Sequence, residues 1–431
     1  MIPEQWQPFL KRWSEEWVDA HDPEQDLPLA AEVARERWLG FAPARAEDLA
    51  AAEARLGRTL PPSLREFLLT TDGWRNAGVF IYRLAGTSEL AWLADTDEGS
   101  GWIKAYRNTE FHESGAEPEG RIIARSLRLS LDGDAAVMLL DPEDVDEHGE
   151  WAAYWVASWS GSGPKRFGSF HDLMYDQYAS FHALCRPPGA TRDHWDAEVE
   201  RARLAALDGA VEEPLTVLEE AFRFGNSRGR LLRFQMLTML GDTHTIPLER
   251  VAVVKEERAD FLHAPLFTRE LLPLVYAEEQ RAPLWGSTTL RVLENCGLEE
   301  ARAIAAGFDP DEFDPNGLTY GNPEFDAAVH DILDRLRADP AFLLPEPEPE
   351  AKGNAKAKAK ALRRSATNQA VTLTRQRLLD SLWPELRAAM ELWRPVDEDH
   401  IAPVVLLAHP VLAEVITEER GREILSMRRG S

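Results

Sequence analysis

Residues 49–74 have the sequence LAAAEARLGRTLPPSLREFLLTTDGW, and this stretch decides how the first half of the chain is expected to fold. Apolar residues recur at helical spacing up to Leu56, and Gly57 suits the left-handed residue that ends a helix. Two prolines then open a second helix, because proline is favoured in the first turn, where a backbone N–H has no helical partner. Asp72-Gly73 ends that helix and turns the chain.

After Gly73 the pattern changes to short runs of β-branched and aromatic residues, separated by Gly, Asp, Ser and Pro. Several short strands at this spacing predict an antiparallel sheet rather than parallel βαβ units. Ser169 then caps a further helix. We therefore predict one α+β domain over residues 30–188. Its strands are predicted at 79–82, 91–93, 121–124, 136–140 and 151–159.

The rest of the chain divides by composition. A tryptophan-rich helix (1–29) is predicted to place Trp6, Trp13 and Trp17 on one face, either against the protein's own core or against a partner. The Ala/Lys tract at residues 351–364 fits a mobile linker or a basic arm that binds an acidic surface or nucleic acid. It also fits a segment that folds back onto the protein's own acidic surface. The other predicted segments are a helical domain (189–344), a Pro/Glu then Ala/Lys linker (345–370) and a C-terminal helical segment (371–431).

The chain carries 48 Lys and Arg against 74 Asp and Glu, a formal net charge of −26. Such a surface repels phosphate backbones and anionic lipids, so we expect neither nucleic acid nor membrane as a partner. A basic protein would be attracted, although solubility alone also explains the charge. Only Cys185 and Cys296 occur, and no signal peptide or long apolar run is present, so we expect a cytoplasmic protein.

A search for catalytic motifs finds no P-loop, no dinucleotide-binding glycine pattern and no nucleophile elbow. No His-Glu-x-x-His or zinc-type cysteine spacing occurs either. We therefore expect no catalytic residues, no metal and no cofactor, and a binding protein rather than an enzyme. An enzyme that uses an unrecognised motif is the remaining alternative.

Two groups of carboxylates are predicted to form a surface for a basic partner. Trp92, Trp102 and Trp151 are candidate aromatic anchors beside them, with burial in the core as the alternative. Calcium binding is conceivable for the second group, but its spacing departs from that of a calcium loop, which favours a solvated acidic turn over a calcium site. A surface for a basic partner is also more plausible for this group than a calcium site. The first group is Asp95, Asp97 and Glu98, and the second, between two predicted strands, is Asp141, Glu143, Asp144, Asp146 and Glu147.

Three motifs occur in an order that resembles the SUKH superfamily (Smi/Knr-like) over about residues 30–185. The first motif joins a glutamate and Leu-Gly to Leu-Pro and a helix that ends in Asp-Gly. A Gly-Asp pair before a strand and a Ser-Phe pair that opens a helix follow. The residues are Glu53, Leu56, Gly57, Leu60, Pro61, Phe67, Leu68, Gly73 and Trp74, then Gly133 and Asp134, then Ser169 and Phe170.

The resemblance implies a mixed α/β fold with a curved antiparallel sheet and flanking helices. It also implies a role like that of bacterial immunity proteins, which bind and neutralise a cognate toxin, often a nuclease. The motif residues are structural in that superfamily, and no active site is carried over. The acidity of this chain fits a basic, nuclease-type toxin. The alternative is a regulatory or scaffold protein that uses the SUKH-like domain and the helical region as docking modules.

Overall fold

The computed structural model describes residues 5–24, 28–106, 119–161, 163–242, 259–281, 288–295, 298–309, 312–338 and 375–429. The predicted linker therefore lies outside the described residues. The chain separates into two compact units, the first comprising Met1–His194 and Arg223–Gly225 and the second Trp195–Phe222 and Asn226–Ser431. None of the described helices is long and apolar enough to cross a membrane.

The first unit combines helices with two antiparallel sheets, as the α+β prediction requires. Its helices are α1 (Trp6–Ala20), α2 (Ala31–Glu36), α3 (Ala46–Leu56), α4 (Pro62–Thr70), α5 (Gly99–Tyr106), α6 (Glu119–Arg125) and α7 (Phe170–Cys185). Its strands are β1 (Trp74–Arg75), β2 (Ile81–Leu84), β3 (Ala91–Trp92), β4 (Leu127–Arg128), β5 (Ser130–Gly133), β6 (Ala136–Val145), β7 (Trp151–Ala157) and β8 (Lys165–Phe167).

The strands form a small sheet in the order β1-β2-β5 and a larger one in the order β3-β4-β6-β7-β8. Every neighbouring pair is antiparallel, and β6 and β7 form the longest pairing, with Leu139 opposite Tyr154. One face of the larger sheet buries Val137, Leu139 and Val156 against apolar residues that include Ile123 of α6. Burial of this face holds the helix on the sheet.

The predicted strand at 121–124 is wrong, because these residues lie in α6. A short apolar run does not by itself distinguish a strand from a helix, and here the tertiary environment decides. Ile123 is wholly buried in the sheet core, and Arg125 of the same helix reaches Asp141 on β6.

The aromatic face of α1 packs onto the core of the first unit. Trp6 contacts Phe67 of α4 and Phe170 of α7, with ring centroids 5.2 and 5.5 Å apart. Trp13 is wholly buried, and its ring lies 6.0 Å from that of Trp74. The helix therefore supplies core residues, which is the first of the two uses predicted for its tryptophans.

The start of α4 is capped by a residue that is distant in sequence. Pro61, at the N-cap position, makes no side-chain capping bond. The Glu150 carboxylate instead accepts hydrogen bonds from the Ser63 backbone N–H at 2.8 Å and from the Ser63 hydroxyl at 2.6 Å. A carboxylate at a helix N-terminus is favourable because it pairs with backbone donors that lack helical partners.

A buried polar network joins α1, α7 and the residues after α7. The Glu16 carboxylate accepts hydrogen bonds from the Tyr178 hydroxyl and from the Thr191 backbone N–H, the latter at 3.0 Å, and lies 2.9 Å from His182 Nε2. Burial by itself would raise the pKa of Glu16. The hydrogen bonds from His182, Tyr178 and Thr191 outweigh burial and lower it.

The described regular secondary structure of the second unit is entirely helical, as predicted for the C-terminal half. Gln235 ties its helices to the chain near residue 400, through hydrogen bonds to the Asp399 carbonyl at 2.8 Å and from the Ile401 N–H at 2.9 Å. Its helices include Ser227–Met239, Leu272–Arg281, Thr288–Asn295, Glu299–Ala306, Pro323–Ala338, 375–389, Pro410–Val415 and Glu418–Leu425. The helices Ala190–Leu207 and Glu212–Arg223 precede them, and each has residues in both units.

Candidate protein-binding surface

The motif residues connect α3 to α4. The Glu53 carboxylate accepts a hydrogen bond from the Leu60 backbone N–H at 2.9 Å and pairs with the Arg65 guanidinium. Gly57 ends α3 with a φ of 70°, in the left-handed region that favours glycine. One carboxylate thus fixes the link between the two helices, which is a structural role.

The turn after α4 is fixed in a similar way. Gly73 has a φ of 106°, and the Asp72 carboxylate accepts hydrogen bonds from the Thr87 backbone N–H at 2.6 Å and hydroxyl at 3.1 Å. Ser169 caps α7 by accepting from the Asp172 N–H. The buried motif residues are Leu56, Leu60, Pro61, Phe67, Leu68, Gly73, Trp74 and Phe170.

The first acidic group lies between β3 and α5. The Glu98 carboxylate pairs with the Arg128 guanidinium of β4 at 2.7 Å, so its charge is compensated. Asp95 and Asp97 are exposed, and neither forms an ion pair with any residue in the described ranges. Two of the three predicted carboxylates are therefore available to a partner.

The second acidic group was predicted in a solvated turn between strands, and for Asp141 this placement is wrong. Strand β6 continues to Val145, and the side chain of Asp141 is wholly buried. Its carboxylate accepts hydrogen bonds from Arg125 Nε at 2.7 Å and Nη2 at 2.6 Å. Asp141 is therefore a core ion-pair residue and is inaccessible to a partner.

Asp144 is also compensated, although it is partly exposed. The Arg166 guanidinium donates to it through Nε and Nη2 at 2.7 and 2.8 Å and lowers its pKa. The Tyr154 hydroxyl lies 3.3 Å from the same carboxylate. Burial, together with the charge of Asp144, raises the pKa of Tyr154 to about 12, so this phenol stays neutral and donates a hydrogen bond.

The end of the β6–β7 hairpin carries the exposed carboxylates of this group. The side chain of Glu143 is 59% exposed and lies 3.5 Å from the Arg125 guanidinium. The side chain of Glu147 is 88% exposed and lies 3.7 Å from the His148 imidazole. The exposed Asp146 carboxylate accepts hydrogen bonds from the His148 and Glu150 backbone N–H groups, both at 2.9 Å. Asp146 therefore shapes the turn, while Glu143 and Glu147 present charge to solvent.

The three candidate tryptophans are more buried than an interface anchor would be. Trp151 is buried, and the half-buried Trp92 stacks on it with a centroid distance of 6.4 Å. Trp102 packs against the sheet core and stacks on Tyr106. The Trp92–Trp151 contact brings the two acidic groups to the same end of the larger sheet.

The arginines that compensate these carboxylates were missed from the sequence. Arg125, Arg128 and Arg166 lie 16, 30 and 22 residues from their partners along the chain. No local pattern links residues at such separations, because the ion pairs form only when the strands and α6 pack together. With these contacts known, the candidate surface reduces to Asp95, Asp97, Glu143, Asp146 and Glu147, which we call the acidic edge.

Within the described ranges, no three His, Cys, Asp or Glu side chains converge as metal ligands would. The acidic edge can attract and hold cationic groups.

Residues 43–176 match the model of the SMI1 / KNR4 family (SUKH-1). The resemblance inferred from the motif residues is thus confirmed for about a third of the chain. The matched range contains α3, α4, both sheets and the whole acidic edge. Comparisons with curated proteins and with solved structures gave no match.

Proposed function

We propose that this chain is a non-enzymatic binding protein of the immunity type, whose SUKH domain binds a basic protein toxin and blocks its activity. The family match over residues 43–176 is consistent with a binding role. The observation that carries the proposal is the acidic edge, where exposed carboxylates stand at one end of the sheet. Among its five residues only Glu143 pairs with an arginine of the described ranges, whereas the neighbouring Glu98, Asp141 and Asp144 are all paired with arginines.

The acidic edge suits a basic partner for two physical reasons. A net charge of −26 accelerates encounter with a cationic protein, because long-range attraction raises the association rate. On contact, exposed carboxylates pair with lysines and arginines that, in a nuclease, hold the phosphates of the substrate. Occupation of those side chains excludes the nucleic acid, so inhibition needs no chemistry by the immunity protein.

The test is survival of cells that express a candidate toxin, encoded beside the gene for this chain, with the full-length chain supplied in trans. The test variant, Asp97→Asn/Glu147→Gln, removes two charges from the acidic edge. The control variant, Glu47→Gln/Glu66→Gln, removes two charges from the exposed sides of α3 and α4.

We expect the wild type and the control to restore growth, and the test variant to need a higher expression level. Binding of purified proteins should weaken by about 3- to 30-fold for two rim charges, mainly through a slower association rate at low salt. If the wild type leaves the toxin fully active at micromolar concentration and binds none of it, the immunity role is wrong for that toxin. If both double variants weaken binding equally, the acidic edge is not the contact surface.

A scaffold or regulatory role is the second candidate, and one observation favours it. The second compact unit lies outside the family match and exposes apolar side chains, with Leu204 54% and Leu392 40% exposed. Deletion of the C-terminal segment would be a poor test, because Trp393 and Ile401 are wholly buried in that unit. Leu204→Asp and Leu392→Asp test the candidate better, and loss of a captured non-toxin protein would support it.

A further inference from the structure

An exposed aromatic cluster lies at the opposite end of β7 from the acidic edge. Trp159 is 51% exposed and is the only tryptophan of the described ranges that is more than about a third exposed. Its ring lies 4.9 Å from that of Phe80 and 5.7 Å, edge to face, from that of Trp155. Strand β7 separates this cluster from Trp151 by roughly 20 Å at about 3.3 Å per residue.

The backbone holds Trp159 in a fixed position despite its exposure. Trp159 Nε1 donates to the Asp134 carbonyl at 3.1 Å, and the Asp134 N–H donates to the Phe80 carbonyl at 2.9 Å. Ala135 has a φ of 48°, and its carbonyl accepts from the Ser158 N–H at 3.0 Å. An aromatic side chain fixed in advance loses little conformational entropy when a partner binds.

The turn beside the cluster carries uncompensated negative charge. Asp132 and Asp134 are exposed, and neither forms an ion pair with any described residue. Arg83, which lies opposite Asp132 in the β2–β5 pairing, forms its ion pair with Glu89 at 2.8 Å. The Asp134 carbonyl contacts Trp159, so the indole lies beside a turn that bears two exposed aspartates.

We propose that this face, formed by Trp159, Phe80 and the Asp132–Asp134 turn, binds an arginine side chain of the basic protein partner. A guanidinium stacks on an indole and at the same time donates hydrogen bonds to a carboxylate. Tryptophan and arginine are also the residues that most often dominate the binding energy of protein interfaces. The inference rests on the proposed function in one respect, which is that the partner is a basic protein.

A peptide titration tests the face without knowledge of the partner. Fluorescein-labelled peptides of alternating Gly-Arg, Gly-Lys and Gly-Glu, equal in length, are added to the full-length chain at about 150 mM salt, and anisotropy is measured. Trp159→Ala removes the indole, and Asp132→Asn/Asp134→Asn removes the two charges. Glu47→Gln/Glu66→Gln is the control for charge, and Leu184→Ala is the control for loss of an exposed apolar side chain.

We expect tighter binding of the Gly-Arg peptide than of the Gly-Lys peptide, with no binding of Gly-Glu. Trp159→Ala should weaken Gly-Arg binding about fivefold, the contribution of one cation–π contact of about 1 kcal/mol. The aspartate variant should weaken it by a similar factor, and neither control should. Equal affinities of the wild type and Trp159→Ala, or equal losses in the charge control, would overturn the proposal.

The survival assay separates the two proposals. If Trp159→Ala binds the peptide poorly but protects cells fully, arginine recognition by this face is not used against the toxin. If the wild type binds the peptide through Trp159 but never protects, the immunity role fails while the arginine-binding face stands. Thermal unfolding of each variant shows whether a lost signal reflects a lost fold.

Discussion

Replacement of Arg125 by methionine tests whether Asp141 is structural or belongs to the binding surface. The change leaves a wholly buried carboxylate without its bidentate partner, while the Glu143 N–H still donates to it at 3.0 Å. Loss of one member of a buried ion pair typically costs about 3–5 kcal/mol. We expect roughly 3 kcal/mol, near the lower limit, because the Arg125 side chain is 23% exposed and water can reach the site.

Hydrogen exchange followed by mass spectrometry measures this loss where it occurs. Peptides that cover β4 and β6 should exchange roughly 100-fold faster in Arg125→Met, since about 1.4 kcal/mol corresponds to a factor of ten in the opening equilibrium. Peptides of the second unit should be unchanged. Arg121→Met is the matched control, because Arg121 lies on the exposed side of the same helix and its replacement removes the same charge.

The double variant Arg125→Met/Asp141→Leu provides the decisive comparison. If the cost arises from an unpaired buried charge, removal of the carboxylate as well should restore most of the lost protection. Exchange as slow as that of the wild type in Arg125→Met would refute the reasoning. A double variant that is less protected from exchange than Arg125→Met alone and Asp141→Leu alone would also refute the reasoning.

Two further predictions concern stability. Ser169→Ala should lower the free energy of unfolding by about 1 kcal/mol through loss of the α7 N-cap, measured as a shift in urea midpoint against the control substitution Ser88→Ala at an exposed position. The folded-state pKa of Glu16 is lowered, so its ionised carboxylate stabilises the folded state. This contribution to the free energy of unfolding is complete above the unfolded-state pKa of about 4.3 and is lost as the pH falls through the folded-state pKa. Glu16→Gln should therefore reduce stability at pH 7 and flatten the decline in stability as the pH falls below about 4.3, and a decline as steep as that of the wild type would contradict this.

Local signals in the sequence located the ends of three helices of the first unit, α3, α4 and α7. Leu56-Gly57, the prolines at the start of α4 and the serine before Phe170 each act within a few residues, and the structure has helix boundaries at these positions. Capping and left-handed termini depend on local backbone geometry. A single sequence is therefore sufficient to locate them.

Charge pairing and burial could not be predicted in the same way. Asp141 appears in the sequence as one of five carboxylates in a short stretch, but it is buried because β4 and α6 bring Arg125 to it. The helix at 121–124 also depends on tertiary packing, since Ile123 enters the sheet core. The exposure of Trp159 follows from its position after the end of β7, and composition alone does not distinguish it from the buried tryptophans.

The capping of α4 by Glu150 has a consequence for synthesis of the chain. The cap lies 87 residues after Ser63, so at roughly 5–20 residues per second the ribosome adds it about 4–17 s after the helix has been made. Phe170, which packs on Phe67, is added later still. During translation α4 therefore exists first as an uncapped segment with an uncovered apolar face, and the first unit closes only after α7 has left the exit tunnel.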